Sequence, residues 1–182
     1  DRDGTINQEV NYLSSQEQFE LIDGVGEAIS QINIAGILAI VVTNQPVIAR
    51  GELKEAELKV IHNKMDTLLG RHGAYLDRLY YCPHHTDSGF EGENEELKFD
   101  CDCRKPKIGL FLKAKKDLNI VLEKSWVIGD TTRDILAAQN AGMKSVLVCT
   151  GQAGKDGSYK ATPDFVAKDL CEAVKIILKE IK

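Results

Sequence analysis

Aromatic residues make up only 6% of this 182-residue chain, and basic residues are outnumbered, 23 Lys and Arg against 28 Asp and Glu. The resulting net charge of −5 counts against a nucleic-acid or anionic-membrane surface, which wants a basic face. Scarce aromatics count against a single-strand groove, where bases stack on rings. Long apolar runs are missing as well. The longest, Ala35 to Val42, is strand-sized and far short of the roughly 18 residues that mark a membrane span. No secretory pattern is visible, so a cytoplasmic location is expected. Internal repeats and low-complexity segments are absent. The cysteines number five. That odd count, with three of them crowded beside histidine or one another, fits a reduced compartment and a metal better than a disulfide framework.

What remains is a globular composition, 43% hydrophobic and 28% charged, long enough to bury a core as one domain, residues 1–182. Apolar spacing predicts a helix from Asp23 to about Ala35, with Val25, Ala28, Ile29 and Ile32 on one stripe and Gly36 closing it. Ile37 to Thr43 is a continuous apolar run, the pattern of a strand buried on both faces. Further helices are predicted over 51–70, 108–118, 133–141 and 170–181, with strands over 79–81, 125–129 and 145–149. Residues 82–103 read as an irregular loop, and its cluster Glu91, Glu93, Glu95 and Glu96 as a solvated tip. Cys149 and Cys171 are expected to be inert core thiols. This order of strands and helices predicts an α/β fold, an open parallel sheet with helices on both faces. In such folds ligands sit at the carboxyl ends of the strands. There the apolar runs are followed by Thr43-Asn44, Cys82-Pro83-His84-His85 and Asp130-Thr131-Thr132-Arg133-Asp134.

Several short motifs carry chemistry. Asp1-Arg2-Asp3-Gly4-Thr5 puts two carboxylates at i and i+2, which point the same way at a strand end. One can attack a phosphorus atom while the other handles protons. Taken alone, this motif is better explained by a plain turn or a calcium-loop fragment. Asp130, after a buried strand, would face the same crevice, and two carboxylates with a phosphate oxygen suffice for magnesium. Helix capping accounts for one polar residue there, not for two aspartates. Thr43 with a neighbouring N–H can hold a phosphate oxygen. Lys105 would supply the cation that lets an anionic nucleophile approach a phosphate. Cys82, His84, Cys101 and Cys103 form two close pairs of soft ligands suited to a closed zinc site. His85 is the rival ligand. Such a metal would hold loop 82–103 shut and place Arg104 and Lys105, which follow the last ligand directly.

Together these segments resemble the haloacid dehalogenase (HAD) superfamily of phosphotransferases. Its four motifs fall in order on Asp1 to Thr5, Thr43-Asn44, Lys105, and Gly129-Asp130 with Asp134. Within it the chain is similar to the heptose-bisphosphate phosphatase family. The carrying segments are Asp1 to Asn7, Val42 to Gln45, Ile48 to Gly51, Tyr81 to His85 and Cys101 to Pro106. The resemblance implies a HAD-like sheet without a large cap domain and a magnesium-dependent hydrolysis of a sugar phosphate through an aspartyl-phosphate. It makes Asp1 the nucleophile and Asp3 the acid and base. Asp1, the backbone carbonyl of Asp3, and Asp130 would hold Mg2+. Thr43 and Lys105 would steady the phosphoryl group, and Glu9, Val10, Asn11, Tyr12, Asn44, Gln45 and Arg104 would bind substrate. Zn2+ falls on Cys82, His84, Cys101 and Cys103. Pro46 and Thr131 depart from the family pattern, which has a small polar residue and, frequently, a lysine there.

The resemblance also implies an apolar central strand just before the nucleophile, which the sequence lacks. A fragment, or a piece excised from a longer chain such as a fusion with a sugar-nucleotidyltransferase, is therefore expected. Asp1 is then expected on a frayed terminus, in a chain that folds poorly and turns over slowly. The expected partner is a small phosphosugar, with neither nucleic acid nor membrane. Rival readings are a histidinol-phosphate phosphatase, a polynucleotide end-phosphatase, and a non-catalytic sugar-phosphate-binding or scaffold module.

Overall fold

Runs of β-branched and apolar residues build the strands of the computed structural model, which describes residues 1–181. The first is Ile40–Asn44 (β1), reached after the helix Val25–Ile34 (α1). The helix Glu55–Gly70 (α2) then crosses over to Arg78–Cys82 (β2), which pairs parallel with β1, Val42 opposite Tyr80 and Asn44 opposite Cys82. After the cysteine loop come the helix Gly109–Leu118 (α3), the strand Trp126–Gly129 (β3), the helix Thr132–Asn140 (α4) and the strand Lys144–Val148 (β4). The strand Phe165–Ala167 (β5) and the helix Leu170–Glu180 (α5) complete the chain. Strands β3, β4 and β5 form a second parallel sheet in that order.

Alternation along each strand assigns the two faces. Val41, Leu79, Tyr81 and Ile128 pack with α1, α2 and α5, through Ile29, Ile61, Met65, Leu170 and Val174. Val42, Tyr80 and Val127 pack with α3 and α4 through Phe111, Ala114, Ala137 and Ala138. The expected α/β architecture with helices on both faces is therefore present. Among the described residues, the chain from Asp3 to α1 makes only a 3₁₀ turn at Gln16–Gln18 and isolated bridges of Asn7 to Asp3 and Leu21.

The expected single sheet is divided. Among the described residues strand β1 pairs only with β2, and β3 only with β4, so each leaves one edge open. Between these edges lies an apolar cavity of about 370 Å³, lined by Ile29, Ile32, Val41, Ile128, Leu170 and Val174 among others. At one end of it the backbone nitrogen of Asp1 donates to the Ile128 carbonyl at 2.7 Å. The frayed terminus expected from the sequence is thus corrected: Asp1 is anchored against β3.

Other differences have local causes. The apolar stripe of α2 runs back to Gly51, yet residues 46–53 form tight turns, with Arg50 N–H bonded to the Pro46 carbonyl and Leu53 N–H to that of Val47. The helix begins only where the Lys54 N–H finds the Glu57 carboxylate at 2.8 Å. Gly51, at φ +73°, lies where any Cβ would sit 2.0 Å from the Gly92 carbonyl oxygen, so this turn is pressed against the cysteine loop. Strand β5 is only three residues long, and Val166 in it is exposed. Cys149 is exposed rather than part of the core, because β4 ends at Val148. Cys171 is partly buried, its thiol bonded to the Gly24 carbonyl.

Candidate active site

The carboxyl ends of β1 and β3 open on a polar cavity of about 260 Å³. Asp1, Asp3, Thr43, Asn44, Gln45, Arg104, Lys105 and Asp130 all line it, as do Glu9, Asn11 and Tyr12 from the loop before α1. Val10 is the exception among the expected residues: it faces solvent and does not reach the wall.

Lys105 is the central cation. Its Nζ lies 3.0 Å from Asp1 Oδ1 and 2.5 Å from Asp134 Oδ1, and it donates to the Val42 carbonyl at 2.8 Å. Asn44 holds the Lys105 backbone at both ends, accepting from its N–H at 3.0 Å and donating to its carbonyl at 3.1 Å. Asp134 is fully buried, and burial alone would raise its carboxyl pKa. Lys105 and Thr131 reverse that and keep it below the usual carboxylate range. The Thr131 hydroxyl donates to Asp134 Oδ2 at 2.6 Å.

Asp3 is held from three sides. Arg2 donates to both of its oxygens at 2.8 and 3.0 Å, Asn7 to Oδ1 at 3.0 Å and Gln45 to Oδ2 at 2.8 Å. Burial pushes the Asp3 carboxyl up, but Arg2 and these donors prevail and hold it low. Gln45 also donates to the Thr43 hydroxyl at 3.0 Å, so one amide orients both groups.

Asp1, Asp130 and Asp134 each bring one carboxylate oxygen within 4.8 Å of the others. Asp130 Oδ1 is buried without a hydrogen-bond partner, while Oδ2 accepts from the Gln152 N–H at 2.7 Å. Burial raises the Asp130 carboxyl to about 6. An orphaned oxygen inside a triad of carboxylates is the donor set that a hard divalent cation such as magnesium takes. Gly4 and Gly151, at φ +72° and +55°, make room for it: a Cβ on either would come within 2.3 or 2.2 Å of Asp130 Oδ2. Thr150 closes the approach by donating to the Gly4 carbonyl at 2.6 Å.

Cys82, His84, Cys101 and Cys103 converge beside this cavity. The sulfur atoms lie 3.2–3.5 Å apart and His84 Nδ1 is 3.1 Å from Cys103 Sγ. These separations approach the roughly 3.7 Å edge of a tetrahedron built on bonds of about 2.3 Å. His85 points elsewhere, to Arg50 and to the Asp87 N–H. Arg104, directly after the last cysteine, donates to the His84 carbonyl at 3.2 Å, so the cluster and the cavity share a wall.

Comparison with known proteins places this geometry. The HAD-hydrolase-like family matches residues 102–173. The D-glycero-beta-D-manno-heptose-1,7-bisphosphate 7-phosphatase of Haemophilus ducreyi is 43% identical over 177 residues, covering 96% of this chain and 93% of that protein. The phosphatase of the same name from Escherichia coli K12 is 40% identical over 184 residues, 100% of this chain and 93% of its own. The chain belongs to this phosphatase family. The crystal structure of the D,D-heptose 1,7-bisphosphate phosphatase from B. bronchiseptica, complexed with magnesium and phosphate, superposes with a TM-score of 0.83 at 30% identity, covering 98% of this chain and 96% of that one.

Within the phosphatase family fold, several residues at the site were not singled out by the sequence. Arg2 reads as a spacer between two aspartates, yet it is fully buried and carries Asp3. Asp134 was legible as part of a motif, but not as a neighbour of Asp1. Arg50, His85 and Arg133 also line the cavity, each inside a quoted segment but given no role there, and Gln152 lines it with no motif to announce it.

Proposed function

We propose that the chain removes the 7-phosphate of D-glycero-D-manno-heptose 1,7-bisphosphate, leaving a heptose 1-phosphate for sugar-nucleotide synthesis in surface-glycan precursors. The carrying observation is the convergence of Asp1, Asp130 and Asp134 with Lys105 at one end of a polar cavity. Full-length similarity to phosphatases of that name supports the substrate.

In this reading an Asp1 oxygen attacks phosphorus, the phosphorus–oxygen bond to the sugar breaks, and Asp3 delivers a proton to the leaving oxygen. Asp3 then takes a proton from water, whose oxygen attacks the aspartyl-phosphate. The P–O bond to Asp1 breaks, and inorganic phosphate leaves. The donors around Asp3 favour its carboxylate, the form the second half-reaction needs. Asp1, the Asp3 carbonyl and Asp130 would hold magnesium, with Asp134 close by. When bound, that ion neutralises phosphate charge. Thr43 and Lys105 steady the phosphoryl oxygens, while Glu9, Asn11, Tyr12, Asn44, Gln45 and Arg104 bind the sugar end. The four-ligand cluster would take zinc, which, with every coordination place filled, shapes the wall and leaves catalysis to the aspartates.

A reduced, cytoplasmic setting suits three unbridged thiols so close together. Among the described residues no helix is long and apolar enough to cross a membrane. The deciding experiment is phosphate release, with magnesium, from heptose 1,7-bisphosphate and from histidinol phosphate. Preferential turnover of the first is expected, and preferential turnover of the second would replace this reading with its rival.

A further inference from the structure

Three guanidinium groups line the same cavity as Asp1: Arg50 from the turns after β1, Arg104 at the end of the cysteine loop, and Arg133 in the first turn of α4. Among the described residues none of them pairs with a carboxylate. Arg50 Nη2 is 3.2 Å from His85 Nε2, Arg104 donates to a backbone carbonyl, and Arg133 only approaches the Ser158 hydroxyl at 3.5 Å. The three are close enough to repel. Burial first, then Arg133 and Arg50, holds the Arg104 guanidinium below its ordinary value, and burial with all three arginines does the same to His85.

The fold keeps them there despite the cost. Arg50 is 7% exposed, its guanidinium 4.2 Å from the Tyr12 ring centre and 4.5 Å from that of Phe90, and its Nε is buried with no partner. Arg133 springs from a helix start pinned by Asp156, which accepts from both the N–H and the hydroxyl of Thr132 at 2.7 Å. Like charges gathered in a confined space without counter-ions are stabilised when an anion joins them. The transferred phosphoryl group does not fill that role, since Lys105, Thr43 and the carboxylate triad already provide for it. The arginines therefore await a second anion on the same substrate.

We propose that Arg133, beside Arg50 and Arg104, is a specificity-determining residue that binds the non-transferred anionic group of the substrate and so selects sugar bisphosphates over sugar monophosphates. This inference rests on the phosphatase reading above. Arg50, clamped between two rings, is the fixed wall of the subsite, and Arg133, half-buried, is the arm that reaches the ligand.

The test compares kcat/KM for heptose 1,7-bisphosphate with that for heptose 7-phosphate in the unaltered chain, Arg133→Gln and Arg133→Lys. The unaltered chain favours the bisphosphate. In Arg133→Gln that preference falls roughly 10- to 100-fold, the range expected for a lost charge-assisted hydrogen bond, chiefly through KM. Arg133→Lys, which keeps the charge but not the fork, recovers part of it. An unaltered chain that releases phosphate from both compounds without preference overturns the inference and leaves the phosphatase reading intact. So does a preference that Arg133→Gln leaves in place. Failure to release phosphate from either compound overturns the phosphatase reading itself, and this inference with it.

Discussion

The Nη1 of Arg2 lies 3.1 Å from Nε2 of His62, on α2, so the residue between the two motif aspartates is gripped from the helix layer as well as from Asp3. His62 must be neutral to accept that bond. Burial, then Arg2, lowers its pKa from 6.5 to about 4. Its folded value lies below its unfolded one, so between pH 6.5 and 4 the unfolded chain binds more protons. Stability is then lost as pH falls through that window. Acidifying from pH 7.5 to 5 is expected to remove about 2 kcal/mol through this group. Denaturant melts of His62→Gln should show a correspondingly flatter pH profile than the unaltered chain. Equal slopes would show that the histidine is not so linked.

Asp1→Asn removes the attacking oxygen while keeping the side chain's shape. Turnover with magnesium and heptose 1,7-bisphosphate should fall by at least ~10⁴-fold, on the scale of removing a covalent nucleophile. Beryllofluoride, which mimics a phosphoryl group on a carboxylate, should no longer be retained. Undiminished turnover would remove the aspartyl-phosphate from the mechanism.

Gly151→Ala puts a methyl group 2.2 Å from Asp130 Oδ2, at a backbone φ of +55°. Either the loop or the carboxylate must move, and with it the orphaned oxygen. The magnesium concentration for half-maximal rate should rise by roughly 10- to 100-fold, the usual effect of disturbing a ligand's supporting contacts. Magnesium titration of the two proteins reads this directly.

Elemental analysis should find one zinc per chain, and Cys103→Ser should lose it. Because Arg104 follows the last thiol and bonds to the His84 carbonyl, the loss should raise KM as well as lower the melting temperature, since metal binding and local folding are linked. A metal-free chain with unaltered melting and kinetics would make the cluster dispensable.

The cavity of about 370 Å³ between the open edges of β1 and β3 is walled mainly by apolar side chains, among them Val41, Ile128, Ile29 and Val174. A segment of alternating apolar residues is the occupant such walls suit. Extending the chain before Asp1 by about six alternating Val and Ile residues should raise stability by several kcal/mol, at roughly 1.5–3 kcal/mol for each large side chain buried. Thermal melts and turnover should both improve. An extension without either gain would leave the cavity unexplained.

Much of this was legible in the amino-acid pattern, for identifiable reasons. Strands β1, β3 and β4 announce themselves because burial on both faces demands unbroken apolar runs. The polar residues that follow β1, β2 and β3 mark the site because the fold directs those positions to one crevice. The start of α2 was misread because Leu53 continues the helical stripe while lying in the turns before the helix. Strand β5 is too short to show a period. The roles of Arg2 and Arg50 were hidden for a different reason: a buried arginine reads like any surface cation until the carboxylate or ring that receives it is known.

Lys105 touches three pieces of the molecule that the sequence keeps far apart: the carbonyl of Val42 on one sheet, Asp134 on the helix behind the other, and the side chain of Asp1 at the seam. A single ammonium thus rivets two half-structures whose strands, among the described residues, share no direct pairing. Drift between the halves would be felt first as misregistration of the reacting groups, so integrity of the scaffold and competence of the chemistry would be expected to decline together rather than one before the other.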